Sequence, residues 1–403
     1  MKIAFTDCRL IDGRGGPALP DATILIEGAR IAAVGPKADV LVPPDASVRS
    51  LAGRSVLPGL IDLHLHLTFF HYRPDVVVGG ELTYSDTRAA LVGVRNLEKL
   101  LDAGITTVRD LGGYHQTVYD LKWAVNEGLI RGPRILCAGH LISPTGGHGS
   151  HLAGLAVEAD GPDAVRRAVR QEIKAGADLI KLGYLQDEWD EESLRAAVDQ
   201  AHRTGRRVAC HVNFPPSIRN ALKAGVDSIE HGCLVTDEEL QTMRERGTFW
   251  VVTSRIYYEQ FEDFKAQVAN PKTPENLREA ARAQVRRHER IWENMPRALR
   301  RAVELGVNIG AGSDMLYEHI GIAALPLELV SMVQIGLTPA QALRAATASA
   351  AECLGLQNEL GTLEAGKRAD LIIVDGDPLS DIAALGRPLL VMRDGRIERD
   401  YLA

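Results

Sequence analysis

From about residue 57 to residue 354, short apolar segments alternate with amphipathic segments along the chain. The apolar segments are typical of strands that are buried on both faces. The segments between them place apolar residues at helical spacing and therefore predict amphipathic helices. Eight strands are predicted in this region, at 57–66, 106–112, 134–140, 179–184, 207–212, 228–232, 249–254 and 308–314.

Eight strand–helix units in about 300 residues predict an α/β protein built as a (β/α)8 TIM-like barrel. An open, doubly wound parallel sheet is the alternative arrangement of the same units. None of the predicted strands is followed by a G-x-G-x-x-G segment or a P-loop. The sequence therefore carries no nucleotide-binding fingerprint in support of the doubly wound alternative.

The two ends of the chain, residues 1–56 and 355–403, have a different pattern of short β-rich segments separated by Gly, Pro and Asp. Asp394–Gly395 is a strong signal for a hairpin turn. Neither end has enough predicted strands to bury a core alone. We therefore expect both termini to form one small composite β-sandwich domain, with the barrel of residues 57–354 inserted between them.

The segment from Arg255 to about residue 298 is too long for a plain strand–helix connection. It is aromatic at its start and rich in helix-forming residues and arginine later on. One interpretation is a helical lid over the barrel mouth or an oligomer contact, and the other is a solvated helical insert. His288 lies in its charged helical part and is predicted to be a surface residue. Capping boxes are predicted at two other helix starts, at Thr236 and Thr338.

The composition of the chain indicates which kinds of binding partner to expect. The chain has 403 residues, 45% of them hydrophobic and 25% charged, with a formal net charge of −7. Basic residues are interspersed with acidic ones, so no nucleic-acid surface is expected. No run approaches the roughly 18 apolar residues of a membrane span, and the start of the chain does not resemble a signal peptide. Five scattered cysteines fit a reducing compartment. We expect a cytoplasmic protein with a small-molecule substrate and no membrane or nucleic-acid partner.

Candidate chemistry begins where the first predicted barrel strand ends. His64 and His66 are two residues apart, so on a strand their side chains point to the same face. Two neutral imidazoles in an apolar setting suit a divalent metal such as zinc, although a histidine pair with ordinary hydrogen-bond partners is the alternative. Further polar side chains follow at the same ends of later strands: Lys181, His211, His231 and Asp314. In a barrel these ends form the face that carries the chemistry.

Lys181 differs from the other candidates because an ammonium group cannot bind a metal ion. Burial lowers the pKa of an amine and favours its neutral form. A neutral amine can react with carbon dioxide to form a carbamate, whose two oxygens could bridge two cations. The alternative is a lysine that extends to solvent at the barrel rim, and the spacing alone does not separate these interpretations.

Several motifs together resemble the amidohydrolase superfamily over essentially the whole chain. They are PGLIDLHLH, the lysine of LIKLG, the histidines of ACHV and SIEHG, GSD, and the segment EAGKRADLIIVDGDPL. VRDLGG and PTGGHG resemble the branch that contains imidazolonepropionase-like proteins and metal-dependent prolidases or carboxypeptidases. Two segments depart from this branch, LGYLQDEWD after the strand 4 lysine and VNFPPSIRNAL after the strand 5 histidine, and both shape the substrate pocket.

This resemblance implies a binuclear site with two divalent ions, zinc being the expected metal. One ion would be held by His64, His66 and Asp314, and the other by His211 and His231. A carboxylated Lys181 and a hydroxide would bridge the two ions. The branch is often oligomeric, so a homo-oligomer is expected by analogy.

The resemblance also implies hydrolysis of an amide bond by attack of the bridging hydroxide. Asp314 would take the proton of the hydroxide and pass it to the leaving amine. His148 and Tyr257 match residues that contact substrate in the branch, Tyr257 by binding a carboxylate. Arg255 is a second candidate for a carboxylate contact, and a packed, solvated lid is the alternative for both Tyr257 and Arg255.

The most specific expectation is hydrolysis of an N-acyl amino acid or a dipeptide-like substrate. A lactone, carbamate or urea-type hydrolase would share every metal ligand, and a mononuclear deaminase of the superfamily would lack the bridging lysine. A non-catalytic relative would be expected to have lost ligands, whereas all six positions are filled here. The sequence contains neither G-x-S-x-G nor H-E-x-x-H, so a serine hydrolase and a metalloprotease of that type are disfavoured.

Overall fold

The structure is a computed structural model that describes residues 2–68, 77–78, 81–82, 85–150, 154–184, 189–314, 317 and 320–402. Part of the LGYLQDEWD segment, residues 185–188, lies outside the described residues. The eight site residues predicted from the sequence all lie within them.

The strands of the described residues are numbered here in chain order. They are β1 Lys2–Leu10, β2 Leu19–Glu27, β3 Arg30–Pro36, β4 Ser47–Ser50, β5 Ser55–Pro58, β6 Leu60–Leu65, β7 Val77–Val78, β8 Glu81–Leu82, β9 Ile105–Asp110, β10 Arg134–Cys137, β11 Leu141–Ser143, β12 Ala156–Glu158, β13 Leu179–Gly183, β14 Arg207–Val212, β15 Ser228–His231, β16 Phe249–Val252, β17 Asn308–Ala311, β18 Leu371–Val374, β19 Pro388–Arg393 and β20 Arg396–Asp400.

The helices of the same residues follow most of the central strands. They are α1 Asp86–Asp102, α2 Thr117–Asn126, α3 Pro162–Ala175, α4 Glu191–His202, α5 Pro215–Ala224, α6 Asp237–Arg246, α7 Ser254–Ala269, α8 Glu275–Leu305, α9 Leu325–Gln334, α10 Pro339–Ala345 and α11 Ala348–Leu354, with a 3₁₀ helix at Ile382–Gly386. The capping boxes predicted at Thr236 and Thr338 are both present, at the starts of α6 and α10.

Strands from both ends of the chain form one eight-stranded sheet. Its order is β20-β19-β18-β5-β1-β2-β3, and β4 pairs with β1. The predicted hairpin at Asp394–Gly395 joins β19 to β20, and both turn residues have positive φ, at 49° and 71°, as a type I′ turn requires. The predicted division after residue 56 falls inside β5, so the domain boundaries stay a prediction.

All eight central strands predicted from the sequence are present, and every pairing between them is parallel. Strands β10-β9-β6 form one sheet, and β12-β11-β13-β14-β15-β16-β17 form another. The chain is therefore an α/β protein with parallel sheets, as the apolar pattern predicted. Two short parallel strands, β11 and β12, were not predicted. They flank the glycine-rich segment that follows the third predicted strand.

Two backbone hydrogen bonds link the two parallel sheets. The amide of Asp314, just after β17, donates to the carbonyl of His64 in β6 at 2.7 Å. At the other junction, the amide of Asp178 donates to the carbonyl of Cys137 at 2.9 Å. A Cβ atom on Gly312 would lie 2.5 Å from the Cβ of His64. The glycine of the GSD motif thus permits the close approach of β17 to β6.

The predicted helical insert is a pair of packed helices, α7 and α8. Helix α8 contains Pro296 and continues to Leu305, so the predicted end of the insert near residue 298 is not a helix boundary. His288 was predicted to lie on the surface, and this prediction is wrong. Its side chain is buried because the rings of Phe261, Phe264 and Tyr257 pack around it. Within the described ranges, no helix combines the length and apolarity that a membrane crossing needs.

Candidate metal centre

Three side chains from three strand ends form the tightest group of candidate metal ligands. His64, His231 and Asp314 each offer a ligand atom, and these atoms all lie within 4.8 Å of one another. The Nε2 atom of His64 lies 3.7 Å from the Oδ1 atom of Asp314. The Nδ1 atom of His231 lies 3.9 Å from the Oδ2 atom. Two imidazoles and a carboxylate at this spacing are a donor set suited to a divalent ion such as zinc.

The backbone at two of these residues has an uncommon conformation. His231 has a φ of 68° and Asp314 a φ of 43°, and such left-handed conformations are rare for residues other than glycine. Strained backbone of this kind clusters at functional sites, where the surrounding structure holds it in place. The side chain of His231 is also fixed, because its Nδ1 atom lies 2.8 Å from the hydroxyl of Thr253.

His66 lies beside this group, as the two-residue spacing predicted. Its Nε2 atom is 3.4 Å from the Oδ1 atom of Asp314, and its Nδ1 atom is 2.9 Å from the carbonyl of Gly112. Asp110 accepts hydrogen bonds from the amides of Gly112 and Leu67 and so holds the turn that positions His66. Burial opposes the charged form of His66, but the hydrogen bond to Asp314 and its charge raise the pKa of this imidazole.

Burial and the neighbouring charges set the ionisation of the site. Burial lowers the pKa of His64 and His211 well below the ordinary value, and that of His231 to about 3. Burial also opposes ionisation of Asp314, but the charge of His64 and the hydrogen bond with His66 hold the pKa of this carboxyl well below its usual range. At neutral pH His64, His211 and His231 are therefore neutral and Asp314 is ionised, the forms that bind metals.

Histidines from two later segments complete the cluster. The ring centroid of His211, at the end of β14, lies 4.4 Å from that of His231. His148, from the glycine-rich segment, stacks on His211 with the centroids 3.7 Å apart. The rings of His64 and His231 are 4.7 Å apart. The histidines that the sequence placed on separate strands are thus brought into a single group.

Lys181 on β13 is buried against this group, with 2% of its surface exposed. Its Nζ atom has no hydrogen-bond partner among the described residues. Burial lowers the pKa of the amine to about 8, so more of it is neutral at pH 7 than of an ordinary lysine. The alternative of a lysine that extends to solvent at the rim is wrong, because the side chain is enclosed. An unpartnered buried amine is costly unless another group completes its contacts.

All eight site residues predicted from the sequence line a single cavity, which we call the inner cavity. Its lining comprises His64, His66, Leu111, Leu141, His148, Gly149, Leu155, Lys181, His211, His231, Ile256, Tyr257, Gln260 and Asp314. Tyr257 donates to and accepts from the side-chain amide of Asn213, at 3.2 and 2.9 Å. Arg255 points elsewhere, since it forms an ion pair with Glu259 and lies over the ring of Tyr258. Its predicted alternative role as a carboxylate contact has no support in this geometry.

A buried ion pair behind the site was missed by the sequence reasoning. Glu230 lies 2.9 Å from the Nδ1 atom of His64 and accepts a hydrogen bond from Arg109 at 2.7 Å. Arg109 also donates to the carbonyl of Leu63 and the hydroxyl of Ser228. This network fixes the orientation of the His64 ring, so that its Nε2 atom faces Asp314. The sequence signal for this ion pair was that Arg109 and Glu230 lie inside the otherwise apolar segments TTVRDLG and SIEHG.

The Glu230→Gln variant is expected to lower the free energy of unfolding by about 3–5 kcal/mol. The change removes one charge of a buried pair and leaves the Arg109 guanidinium without its anionic partner. The measurement is the midpoint of urea unfolding. Glu279→Gln, at an exposed position, is the control. A Glu230→Gln midpoint equal to that of the wild type would show that the pair does not stabilise the fold.

Residues 55–397 match the Amidohydrolase family. The chain is 31% identical to an ochratoxinase from Aspergillus niger, over 95% of this chain and 83% of that protein. It is 28% identical to an imidazolonepropionase from Symbiobacterium thermophilum, over 90% of this chain and 87% of that protein. A crystal structure of a Xaa-Pro dipeptidase with bound methionine in the active site is similar with a TM-score of 0.85 and 30% identity, over 98% of this chain and 99% of that one.

The family match covers most of the chain and includes every candidate ligand described above. The relatives place it in the branch that the motifs VRDLGG and PTGGHG indicated. The chain therefore belongs to the amidohydrolase family, in the branch of imidazolonepropionases and prolidase-like proteins, and is a hydrolase of carbon–nitrogen bonds.

Proposed function

We propose that this protein is a binuclear metal-dependent hydrolase that cleaves the amide bond of an N-acyl amino acid or a dipeptide-like substrate. The observation that carries the proposal is the inner cavity itself. It gathers five histidines, one carboxylate and a buried lysine amine that has no hydrogen-bond partner among the described residues. A single metal ion would be served by fewer donors than the cavity contains.

The donors suit two ions. We assign His64, His66 and Asp314 to one ion and His211 and His231 to the other, with Lys181 as a bridging carbamate. His64 and Asp314 are assigned to one ion and His231 to the other, yet their ligand atoms all lie within 4.8 Å of one another. This short spacing supports two adjoining metal sites. A mononuclear deaminase would have no use for Lys181 in this position, so the binuclear hydrolase is favoured.

The state of Lys181 leads to a prediction about pH. Metal-depleted protein given zinc and carbon dioxide is expected to regain activity about fivefold faster at pH 8 than at pH 7, with dissolved carbon dioxide held constant. With a pKa of about 8, the reactive neutral amine increases as pH rises through that value. Activity is followed over time after mixing, and carbon dioxide-free buffer is the control. A rate that is independent of carbon dioxide would count against the carbamate.

Metal ions bound by these residues would lower the pKa of water towards roughly 7 and polarise the scissile carbonyl. The other steps belong to residues of the chain. Asp314 accepts the proton as the water oxygen bonds to the carbonyl carbon, and it returns that proton to the nitrogen as the carbon–nitrogen bond breaks. The low pKa of Asp314 keeps it ionised at neutral pH.

The residues around the donors position the substrate. We propose that His148, stacked on His211, donates a hydrogen bond to the substrate. Tyr257 is held by Asn213 with its hydroxyl at the cavity, and we propose that it contacts a substrate carboxylate. The names of ochratoxinase and the Xaa-Pro dipeptidase point to two different substrates, so their similarity to this chain supports an amide bond rather than any one compound.

We further propose that the two parallel sheets close into a (β/α)8 barrel, with the terminal strands forming a separate small domain. Within each sheet the eight predicted central strands lie in chain order, and β17 adjoins β6. A doubly wound sheet requires a reversal of strand order, so this arrangement favours the barrel. A cytoplasmic location and a homo-oligomer remain predictions.

The function is tested by a substrate screen on zinc-loaded and metal-depleted protein. The panel contains N-acyl amino acids, dipeptides, lactones, carbamates, phenylureas and nucleobases. We expect hydrolysis of one or more N-acyl amino acids or dipeptides, lost on metal removal and restored by zinc. Turnover confined to lactones, carbamates or ureas, or release of ammonia from a nucleobase, would contradict the proposal.

A further inference from the structure

A second space adjoins the inner cavity, and we call it the outer chamber. The two share five lining residues: His148, His211, Ile256, Tyr257 and Gln260. The outer chamber has a volume of about 470 Å³, which falls in the range of sites for small organic ligands. Helices α7 and α8 form much of its wall. A substrate with its scissile bond at the metal centre has room for the rest of the molecule here.

Arg287 on α8 lines the outer chamber. Its guanidinium carbon lies 5.3 Å from the centre of the Phe214 ring, so the charged group is held against an aromatic face. Phe214 is the N-cap residue that precedes helix α5, and it follows His211 by three positions. The guanidinium thus lies between helix α8 and the segment that carries a proposed metal ligand.

Among the residues that the structure describes, no acidic side chain neutralises the guanidinium of Arg287. Its Nε atom is buried and has no hydrogen-bond partner, and no carboxylate of the described residues forms an ion pair with it. Arg255 and Arg278 also have an unpartnered Nε atom, but each forms an ion pair with a glutamate through its terminal nitrogens. Arg287 differs from these two arginines because it lines the outer chamber and forms no ion pair with a described carboxylate.

Two other ionisable side chains of the outer chamber, those of Asp263 and His288, hydrogen-bond to neutral groups. Asp263 lines the chamber, and its carboxylate accepts a hydrogen bond from Gln267 at 3.0 Å. His288 lies next to Arg287 and contacts the carbonyl of Gln284 and the side chain of Gln260. Burial lowers the pKa of His288, so this side chain is neutral at neutral pH.

We propose that Arg287 is a substrate-binding residue that contacts a carboxylate of the substrate in the outer chamber. Guanidinium and carboxylate groups match in shape and charge and form paired hydrogen bonds. The inference rests on the proposed function, because it names the anionic part of the same substrate. In this role Arg287 favours amide substrates that carry a carboxylate over neutral amides of equal size.

The test compares binding of an acid and its neutral counterpart, neither of which can be hydrolysed. The probes are 4-phenylbutyrate and 4-phenylbutanol, titrated into the zinc-loaded full-length protein by calorimetry. Arg287→Gln is expected to weaken binding of the acid about 10- to 100-fold and to leave binding of the alcohol unchanged. Arg286→Gln removes an exposed charge from the neighbouring position of α8 and should alter neither affinity.

Unchanged affinity of Arg287→Gln for 4-phenylbutyrate would overturn the inference, since the acid would then be held by the metal centre alone. Hydrolysis gives a second test with N-benzoylglycine and N-benzoylethanolamine. Arg287→Gln should raise KM for the acid about 10-fold or more with kcat little changed, and should not affect the neutral amide. Arg287-dependent binding of the acid without hydrolysis of any amide would support this inference while the proposed function fails.

Discussion

Asp314→Asn is expected to reduce kcat by about 10³- to 10⁴-fold while sparing the fold. The carboxylate is the proposed proton carrier, and it lies within 4 Å of three histidine side chains of the cluster, at 3.4, 3.7 and 3.9 Å. An asparagine amide neither accepts a proton at neutral pH nor supplies the negative charge that a cation site needs. Asparagine tolerates the left-handed conformation of this residue, so the change adds little backbone strain.

The measurement is kcat on the best substrate of the screen, together with bound zinc and the thermal unfolding midpoint. Asp375→Asn at an exposed position is the matched control and should behave as the wild type does. Retained zinc with lost turnover would assign Asp314 chiefly to proton transfer, whereas loss of both would assign it chiefly to metal binding. A kcat within about fivefold of wild type would remove Asp314 from the mechanism.

Lys181→Ala is expected to lower kcat about 10²- to 10³-fold and to release at least one of the two proposed ions. The variant removes the only side-chain amine among the described residues that line the inner cavity, and it leaves a space where the lysine side chain was. A short carboxylate such as propionate can occupy such a space and supply two oxygens in place of a carbamate. We therefore expect propionate to restore part of the activity and of the bound zinc.

Lys181→Met is the matched control, because its side chain fills the space and leaves no room for propionate. It should be as inactive as Lys181→Ala but should not respond to propionate. Zinc content and kcat are measured with and without propionate for both variants. Wild-type activity in either variant, with two zinc ions bound, would show that Lys181 has no part in the metal centre.

The local patterns of the sequence were sufficient to predict the central strands. Each is a short apolar segment such as LIKLG or RVACHV, and the burial of parallel strands on both faces makes this pattern reliable. The candidate ligands could be located because they fall at equivalent ends of those strands. The histidines His64, His211 and His231 do lie together, although they are far apart in sequence.

What could not be predicted depends on contacts between distant segments. The pairing of Arg109 with Glu230 requires the side chains of two non-adjacent strands to meet, which no local pattern specifies. His288 was assigned to the surface because its neighbours on α8 are charged, yet aromatic residues of α7 cover it. The assignment of a carboxylate contact to Arg255 failed for the same reason, since a glutamate one turn away on α7 pairs with it.

The central claim is most directly tested by anomalous diffraction from crystals of the zinc-loaded protein, recorded at the zinc absorption edge. The account predicts two peaks in the inner cavity. One should lie against His64, His66 and Asp314 and the other against His211 and His231, with density for a carbamate on the Nζ atom of Lys181 between them. A single peak with an unmodified Lys181, or no peak among these side chains, would contradict it.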